Sequence, residues 1–248
     1  MIKFYGIIPA RYSSTRFPGK PLAMIAGKPM FWHVATRAAK CPNLTDVVLA
    51  TDDVRISALA KELGIHCIMT RPDHSCGTDR VCEAADILGA SDMDVIINIQ
   101  GDEPLLNPDT ISSLIAPFLE EENTMVTTPV CPITDERAET PNQVKVVLDN
   151  KLRALYFSRA KIPFLREISD ATKIQYWGHI GLYAFRFSIL RQFVAWGSGY
   201  LEEIEKLEQL RFLEHGIPIK AVKIASHAPG VDTIEDLERV RVIMEASQ

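Results

Sequence analysis

The chain has 248 residues, 47% hydrophobic and 24% charged, with a net charge of −5 and a pI near 5.7. These values suit a globular protein whose core needs no disulfide or metal to hold it, and they argue against general nucleic-acid binding, which wants a basic face. No window holds the ~18 apolar residues of a membrane helix, so no membrane insertion is expected, and five cysteines without a Cys-x-x-Cys pair fit free thiols in a reducing compartment, so the expected location is cytoplasmic.

Phe4–Pro9 is a short apolar run without a charged leader and reads as a buried first strand, not a signal peptide. Helical periodicity follows from Pro29 to Lys40, with proline at an early position where its missing N–H is harmless. Strands are expected at Val47–Ala50, His66–Thr70 and Val95–Ile99. Helices are expected at Val54–Leu63, Thr78–Leu88 and Pro108–Glu121, the first two closed by Gly64 and Gly89. This alternation implies βαβ units and parallel strands. In the second half, Met125–Val130, Val144–Leu148, Ala154–Ser158 and Ile180–Phe185 follow one another as strands, which predicts an antiparallel excursion. Arg166–Gln175 reads as a polar surface loop. Helices Ser188–Trp196 and Tyr200–His215, strand Ile219–Ile224 and helix Thr233–Ala246 close the chain, Thr233 and Asp236 forming a capping box. The fold class is therefore α/β, with a mostly parallel central sheet, and no linker divides the single expected domain 1–248.

Open α/β sheets bind ligands at the carboxyl ends of their strands, and the polar motifs fall there. After the first strand, Pro9-Ala10-Arg11 through Gly19-Lys20-Pro21 packs Arg11, Arg16 and Lys20 among turn residues, an anion cradle. It is neither a Walker A loop, since Pro21 follows Lys20, nor a dinucleotide fingerprint. After Val95–Ile99 comes Gln100-Gly101-Asp102-Glu103-Pro104, with Asp102 the candidate Mg²⁺ ligand and Glu103 the alternative. Gly230-Val231-Asp232-Thr233 offers Asp232 as a second carboxylate, although an acid just before a helix is favoured by the dipole anyway. The loop Thr70–Arg80 can read a base edge or hold a phosphate at a helix start. Glu208 is expected at the edge of an apolar helical stripe of Leu201, Ile204, Leu207 and Leu210, where an ordinary surface glutamate is the simpler reading.

Together these segments resemble the 3-deoxy-manno-octulosonate cytidylyltransferase (CMP-Kdo synthetase) family. The matching stretches are IIPARYSSTRFPGKPL, VVLATDD, MTRPDHSCGTDR, NIQGDEP, VKVVLD, ALYFSRAKIPF, HIGLYAFR, EIEKLEQLRFLEHG and VDTIEDLERV, from Ile7 to Val240. The resemblance implies a Rossmann-like nucleotide-diphospho-sugar transferase fold and a homodimer formed through the antiparallel region. The implied reaction transfers CMP from CTP to a Kdo-type sugar acid for lipopolysaccharide synthesis. By matching position, Pro9, Ala10, Arg11, Arg16, Lys20, Arg71, Ser75 and Gly77 surround CTP. Asp102 and Asp232 hold Mg²⁺ and, with Arg11 and Lys20, form the catalytic set. Gln100, Arg159, His179, Tyr183 and Glu208 line the sugar site. The loop before Asp232 is shorter than the family pattern, and Cys76 stands where serine is frequent. The alternative acceptor is the 8-amino analogue of the same sugar. The alternative outside enzymes is a CTP sensor without turnover.

Overall fold

The computed structural model describes residues 2–13, 17–167 and 174–246, so Arg16 and most of the expected Arg166–Gln175 loop lie outside it. In chain order the strands of the first half are β1 (Phe4–Ala10), a hairpin of β2 (Met24–Ile25) and β3 (Lys28–Pro29), β4 (Asp46–Thr51), β5 (Cys67–Met69) and β6 (Val95–Asn98). Four of them pair in parallel in the order β5-β4-β1-β6. The helices between them are α1 (Met30–Ala38), α2 (Val54–Glu62), α3 (Gly77–Ile87) and α4 (Pro108–Glu120).

Strand periodicity sends neighbouring residues to opposite faces. Ile7 of β1 packs with Val81, Ala84 and Ala85 of α3. Ile8 packs on the other face with Phe31 and Val34 of α1 and with Ile111 and Leu114 of α4. Helices thus cover both faces, which is why these strands read as continuous apolar runs.

The second half holds β7 (Val126–Ile133), β8 (Lys145–Leu148), β9 (Ala154–Ser158), β10 (Tyr176–His179), β11 (Tyr183–Arg186) and β12 (Ile219–Lys223). Its helices are α5 (Asp135–Glu139), α6 (Phe187–Ala195), α7 (Tyr200–Glu205), α8 (Leu210–Glu214) and α9 (Ile234–Glu245). β7 pairs antiparallel with β11 at one end and with β10 at the other, and β12 joins it in parallel. β8 and β9 extend the excursion antiparallel beyond β10.

Two expected elements differ. The strand expected at Ile180–Phe185 begins at Tyr183, and Tyr176–His179 forms a strand of its own. Between them Leu182 donates to the carbonyl of Ile180 at 2.8 Å, a tight bend that moves the chain from β8 to β6 as its neighbour. The helix expected over Tyr200–His215 breaks at Lys206, whose backbone is left-handed at φ 53°, ψ 50°. The apolar stripe fails with it: Leu207 is buried while Ile204 is 61% exposed. Glu208 therefore sits in a turn between α7 and α8, not on a helix edge. The Thr233–Asp236 capping box forms as expected: Thr233 Oγ1 accepts from the Asp236 amide at 3.2 Å, and Asp236 Oδ2 from the Thr233 amide at 3.0 Å.

Candidate active site

The loops after β1, β6 and β12 meet above the carboxyl ends of the strands. Their approach is close: a Cβ on Gly101 would stand 2.9 Å from the carbonyl oxygen of Pro9, so a side chain there would force the two loops apart. Val231 donates its amide to the carbonyl of Asp102 at 2.8 Å, joining the loop after β12 to the loop after β6. Lys20 reaches across from the first loop. Its Nζ donates to Asp102 Oδ2 at 2.7 Å and to the Val231 carbonyl at 2.9 Å, and lies 3.6 Å from Asp232 Oδ1. The cation and both expected acids are thus one cluster.

Beside it lies a cavity of about 570 Å³. Of the expected residues it gathers Pro9, Gly77, Gln100, Arg159, His179, Tyr183 and Glu208. Gln100 is held by donating Nε2 to the Gly181 carbonyl at 2.8 Å, which ties the loop after β6 to the bend between β10 and β11. Arg159 is clamped by backbone: Nε donates to the Glu205 carbonyl at 2.8 Å, Nη1 to Pro141 at 3.3 Å and Nη2 to Lys206 at 3.2 Å. Glu208 accepts from Thr78 Oγ1 at 2.8 Å. Residues that the sequence reading gave no role of their own also line the cavity: Thr78 and Gln209, inside the polar segments already picked out, and Asn98, Asn142 and Lys206. The available signal was Asn98, a polar residue inside an otherwise apolar strand.

Arg71 and Ser75 lie elsewhere: they line a neighbouring cleft with His74, Asp79 and Glu83, on the far side of the loop that opens α3. The link to the main crevice is Arg11, whose Nη1 donates to the Ser75 carbonyl at 3.5 Å and whose Nη2 is buried without a hydrogen-bond partner among the described residues. Ala10 is buried at the end of β1 and contributes backbone there.

The family model described as "Cytidylyltransferase" matches residues 5–224 of this chain. A 3-deoxy-manno-octulosonate cytidylyltransferase of Oleidesulfovibrio alaskensis is 52% identical over 94% of this chain and 93% of its own length. The chain belongs to the 3-deoxy-manno-octulosonate cytidylyltransferase family. It also matches an 8-amino-3,8-dideoxy-manno-octulosonate cytidylyltransferase of Shewanella putrefaciens at 45% identity over 97% of this chain and 98% of the relative. A solved CMP:2-keto-3-deoxy-manno-octonic acid synthetase complexed with CTP superposes with a TM-score of 0.94 at 40% identity, covering 99% of this chain and 100% of that one. The fold reaches further, to a 4-diphosphocytidyl-2C-methyl-D-erythritol synthase with a TM-score of 0.67 at 12% identity over 98% of this chain and 99% of that one. The expected Rossmann-like nucleotidyltransferase architecture is the one this cytidylyltransferase has.

The family frame makes the protonation states in the cavity informative. Burial pushes the His179 imidazole down to about 3, so it is neutral at ordinary pH. Thr128 Oγ1 donates to the Leu182 carbonyl at 2.8 Å and lies 3.0 Å from His179 Nε2. The same hydroxyl lies 3.3 Å from the Ile180 carbonyl, so Thr128 ties the imidazole to the bend between β10 and β11. Burial, aided by the Glu208 charge, holds the Tyr183 phenol well above its ordinary range, so it stays a donor. Burial pushes the Cys76 thiol up to about 12, with Glu208 adding to the effect, so Cys76 stays a protonated thiol at ordinary pH.

Proposed function

We propose that the chain transfers CMP from CTP to the anomeric hydroxyl of 3-deoxy-manno-octulosonate. The observation that carries this reading is the juxtaposition of a cation-and-carboxylate cluster with a polar, sugar-sized cavity. Lys20, Asp102 and Asp232 form the cluster, and Arg159, His179, Tyr183 and Glu208 face the cavity. In the reaction the anomeric oxygen attacks the α-phosphorus in line. A new O–P bond forms, the bond to the β-phosphate oxygen breaks, and pyrophosphate leaves with the electron pair while the hydroxyl proton is released. Such transfers need positioning and charge neutralisation more than a protein nucleophile.

Each residue has a role that its surroundings support. Lys20 and Arg11 neutralise phosphate charge at the end of β1. Loop amides near Pro9, Ala10 and Gly77 border the nucleoside, with Arg71 and Ser75 on the adjoining face of their loop. Arg159 supplies a fixed positive charge for the sugar carboxylate, its plane set by three carbonyls. The neutral imidazole of His179, the donor at Tyr183 and the carboxylate of Glu208 meet sugar hydroxyls, with Gln100 at the boundary between the two substrates.

Mg²⁺ is the cofactor that fits this donor set. Asp102 and Asp232 present hard oxygens on either side of the Lys20 ammonium, so the cluster already accommodates a cation. Among the described residues no group of three or more His, Cys, Asp or Glu could hold a metal. Two carboxylates alone suit an ion that takes its remaining ligands from phosphates and water. When bound, Mg²⁺ supplies charge neutralisation on the phosphates.

A cytoplasmic homodimer completes the proposal. All five cysteines are free thiols, and among the described residues no helix is long and apolar enough to cross a membrane. The edge strand β9 exposes Leu155, and Phe164 shortly after it is 86% exposed, an apolar margin that a second copy would cover.

The deciding experiment is CTP-dependent pyrophosphate release with Mg²⁺, offering 3-deoxy-manno-octulosonate, its 8-amino analogue and a sialic acid. Release with the first is expected. Release only with the analogue would move the acceptor and keep the chemistry. CTP binding without release for any acceptor would make the protein a sensor.

A further inference from the structure

Glu103 follows Asp102 directly, yet it faces away from the crevice into protein. The residue is 7% exposed, and its Oε2 is buried without a hydrogen-bond partner among the described residues. Its Oε1 lies 3.3 Å from Nε2 of His227, in the loop between β12 and Asp232. A carboxylate is costly to bury without full pairing, and an apolar side chain would fill the same volume at less cost. The position therefore calls for a job that a carboxylate does and an apolar residue does not.

The loop from Ile224 to Thr233 contains neither helix nor strand, and it delivers Asp232, which is exposed at its end. Among the described residues, three polar ties join it to the loop that carries Asp102. The Val231 amide bonds the Asp102 carbonyl, Lys20 spans the two carboxylates, and His227 meets Glu103. Gly230 lets the backbones approach: a Cβ there would stand 3.4 Å from the Asp102 carbonyl oxygen and 3.9 Å from Glu103 Cγ. Of these ties the first needs only backbone. The second is bound to change when Lys20 turns towards phosphate. The third joins the loops through polar side chains outside the crevice, beside the apolar packing of Val231 with Leu105.

We infer that Glu103 and His227 are positioning residues that latch the Asp232 loop to the Asp102 loop and so set the spacing of the two carboxylates for a divalent cation. The inference rests on the two-carboxylate cation site of the proposed function. Partners behind metal ligands commonly contribute 10- to 100-fold in metal affinity.

The test measures Mn²⁺ binding by electron paramagnetic resonance, with CTP present and no sugar acid, on the full chain and on His227→Ala, His227→Gln, Glu103→Gln and the His227→Ala/Glu103→Gln double variant. Thermal midpoints and the sugar-acid KM are measured alongside. His227→Ala should weaken Mn²⁺ about 10-fold and leave the sugar-acid KM within about twofold, because the sugar cavity does not include this pair. His227→Gln keeps a donor and should recover most of the affinity, which a merely structural role would not predict. The double variant should be no worse than the poorer single variant, the mark of one shared interaction. If Glu103→Gln does not fold, the contrast between the two His227 variants still decides. Unchanged Mn²⁺ affinity in His227→Ala overturns the latch and leaves the two-carboxylate site standing. Weakening in Glu103→Gln with none in His227→Ala also overturns it, making Glu103 a direct ligand. Failure of the unaltered protein to bind Mn²⁺ with CTP overturns the cation site itself, and the latch with it.

Discussion

Lys20 contacts two carboxylates and a carbonyl at once, so single substitutions around it separate charge from shape. Asp102→Asn keeps the side-chain volume and removes one charge. Turnover should fall at least ~10²-fold, the scale of losing one preorganised electrostatic group, and steady-state rates at saturating CTP and sugar acid check it. Near-normal turnover would remove Asp102 from the site. Lys20→Met should raise the KM for CTP and leave Asp102 without the ammonium it pairs with. Millimolar Mg²⁺ should then raise the thermal midpoint of this variant more than that of the parent, and equal shifts would count against the cluster. His179 gives a pH signature. Its folded pKa of about 3 lies below the ordinary 6.5, so below 6.5 the unfolded chain binds a proton that the folded chain refuses. Its stability contribution is whole above pH 6.5 and is lost as pH falls towards 3, by up to about 1.4 kcal/mol per pH unit. Urea unfolding at pH 7 and pH 5 should show a smaller acid loss for His179→Gln than for the parent, and an equal loss would refute the assignment. Asp102, Lys20 and Asp232 were legible as residues because each sits in a polar loop directly after an apolar strand. Thr78 and Gln209 lay inside polar segments that were legible but drew no role of their own, since a threonine opening a helix and a glutamine before one look like ordinary capping and surface residues.

The elements of the first half were legible for a physical reason: strands covered on both faces are apolar throughout, and glycines at Gly64 and Gly89 take the left-handed conformation that ends their helices. The breaks in the second half were harder to read: the first carries Gly181, which lies outside the left-handed region and looks like a glycine within one strand, and the second carries no glycine at all. Ile180–Leu182 bends between two strands through tertiary pairing, and Lys206 adopts a left-handed backbone that favours glycine. Lys206 is held there because the Leu207–Gln209 turn must place Glu208 against Thr78 while Leu207 enters the core. A non-glycine residue in this conformation costs ~1–2 kcal/mol. Lys206→Gly is expected to stabilise the fold by about 1 kcal/mol, a rise of roughly 2–4 °C in thermal midpoint for a chain of this size. Lys206→Val, β-branched at the same position, should lower the midpoint. A lower midpoint for the glycine variant would show that the lysine side chain outweighs the backbone strain.

At the scale of the whole molecule, the proposed function assigns the nucleotide to the parallel half of the sheet and the sugar to the antiparallel half, so that the two halves would divide the two substrates between them. The antiparallel half ends at an edge, and an edge strand with exposed apolar residues invites pairing or cover. Leu155 on β9 is 62% exposed and Phe164 86%. One antiparallel bridge between Arg153 and Lys220 closes only the start of β9 against β12, leaving Leu155 outside it. Burial of these side chains by a second copy would contribute on the order of 1.5–3 kcal/mol for each large apolar residue covered. Light scattering at micromolar concentration should therefore give twice the chain mass of 27.7 kDa. Leu155→Glu with Phe164→Glu should return one chain mass without lowering CTP affinity, since neither residue lines the crevice. A single chain mass for the unaltered protein would end the dimer reading, and a dimer that survives both substitutions would move its contact to another face.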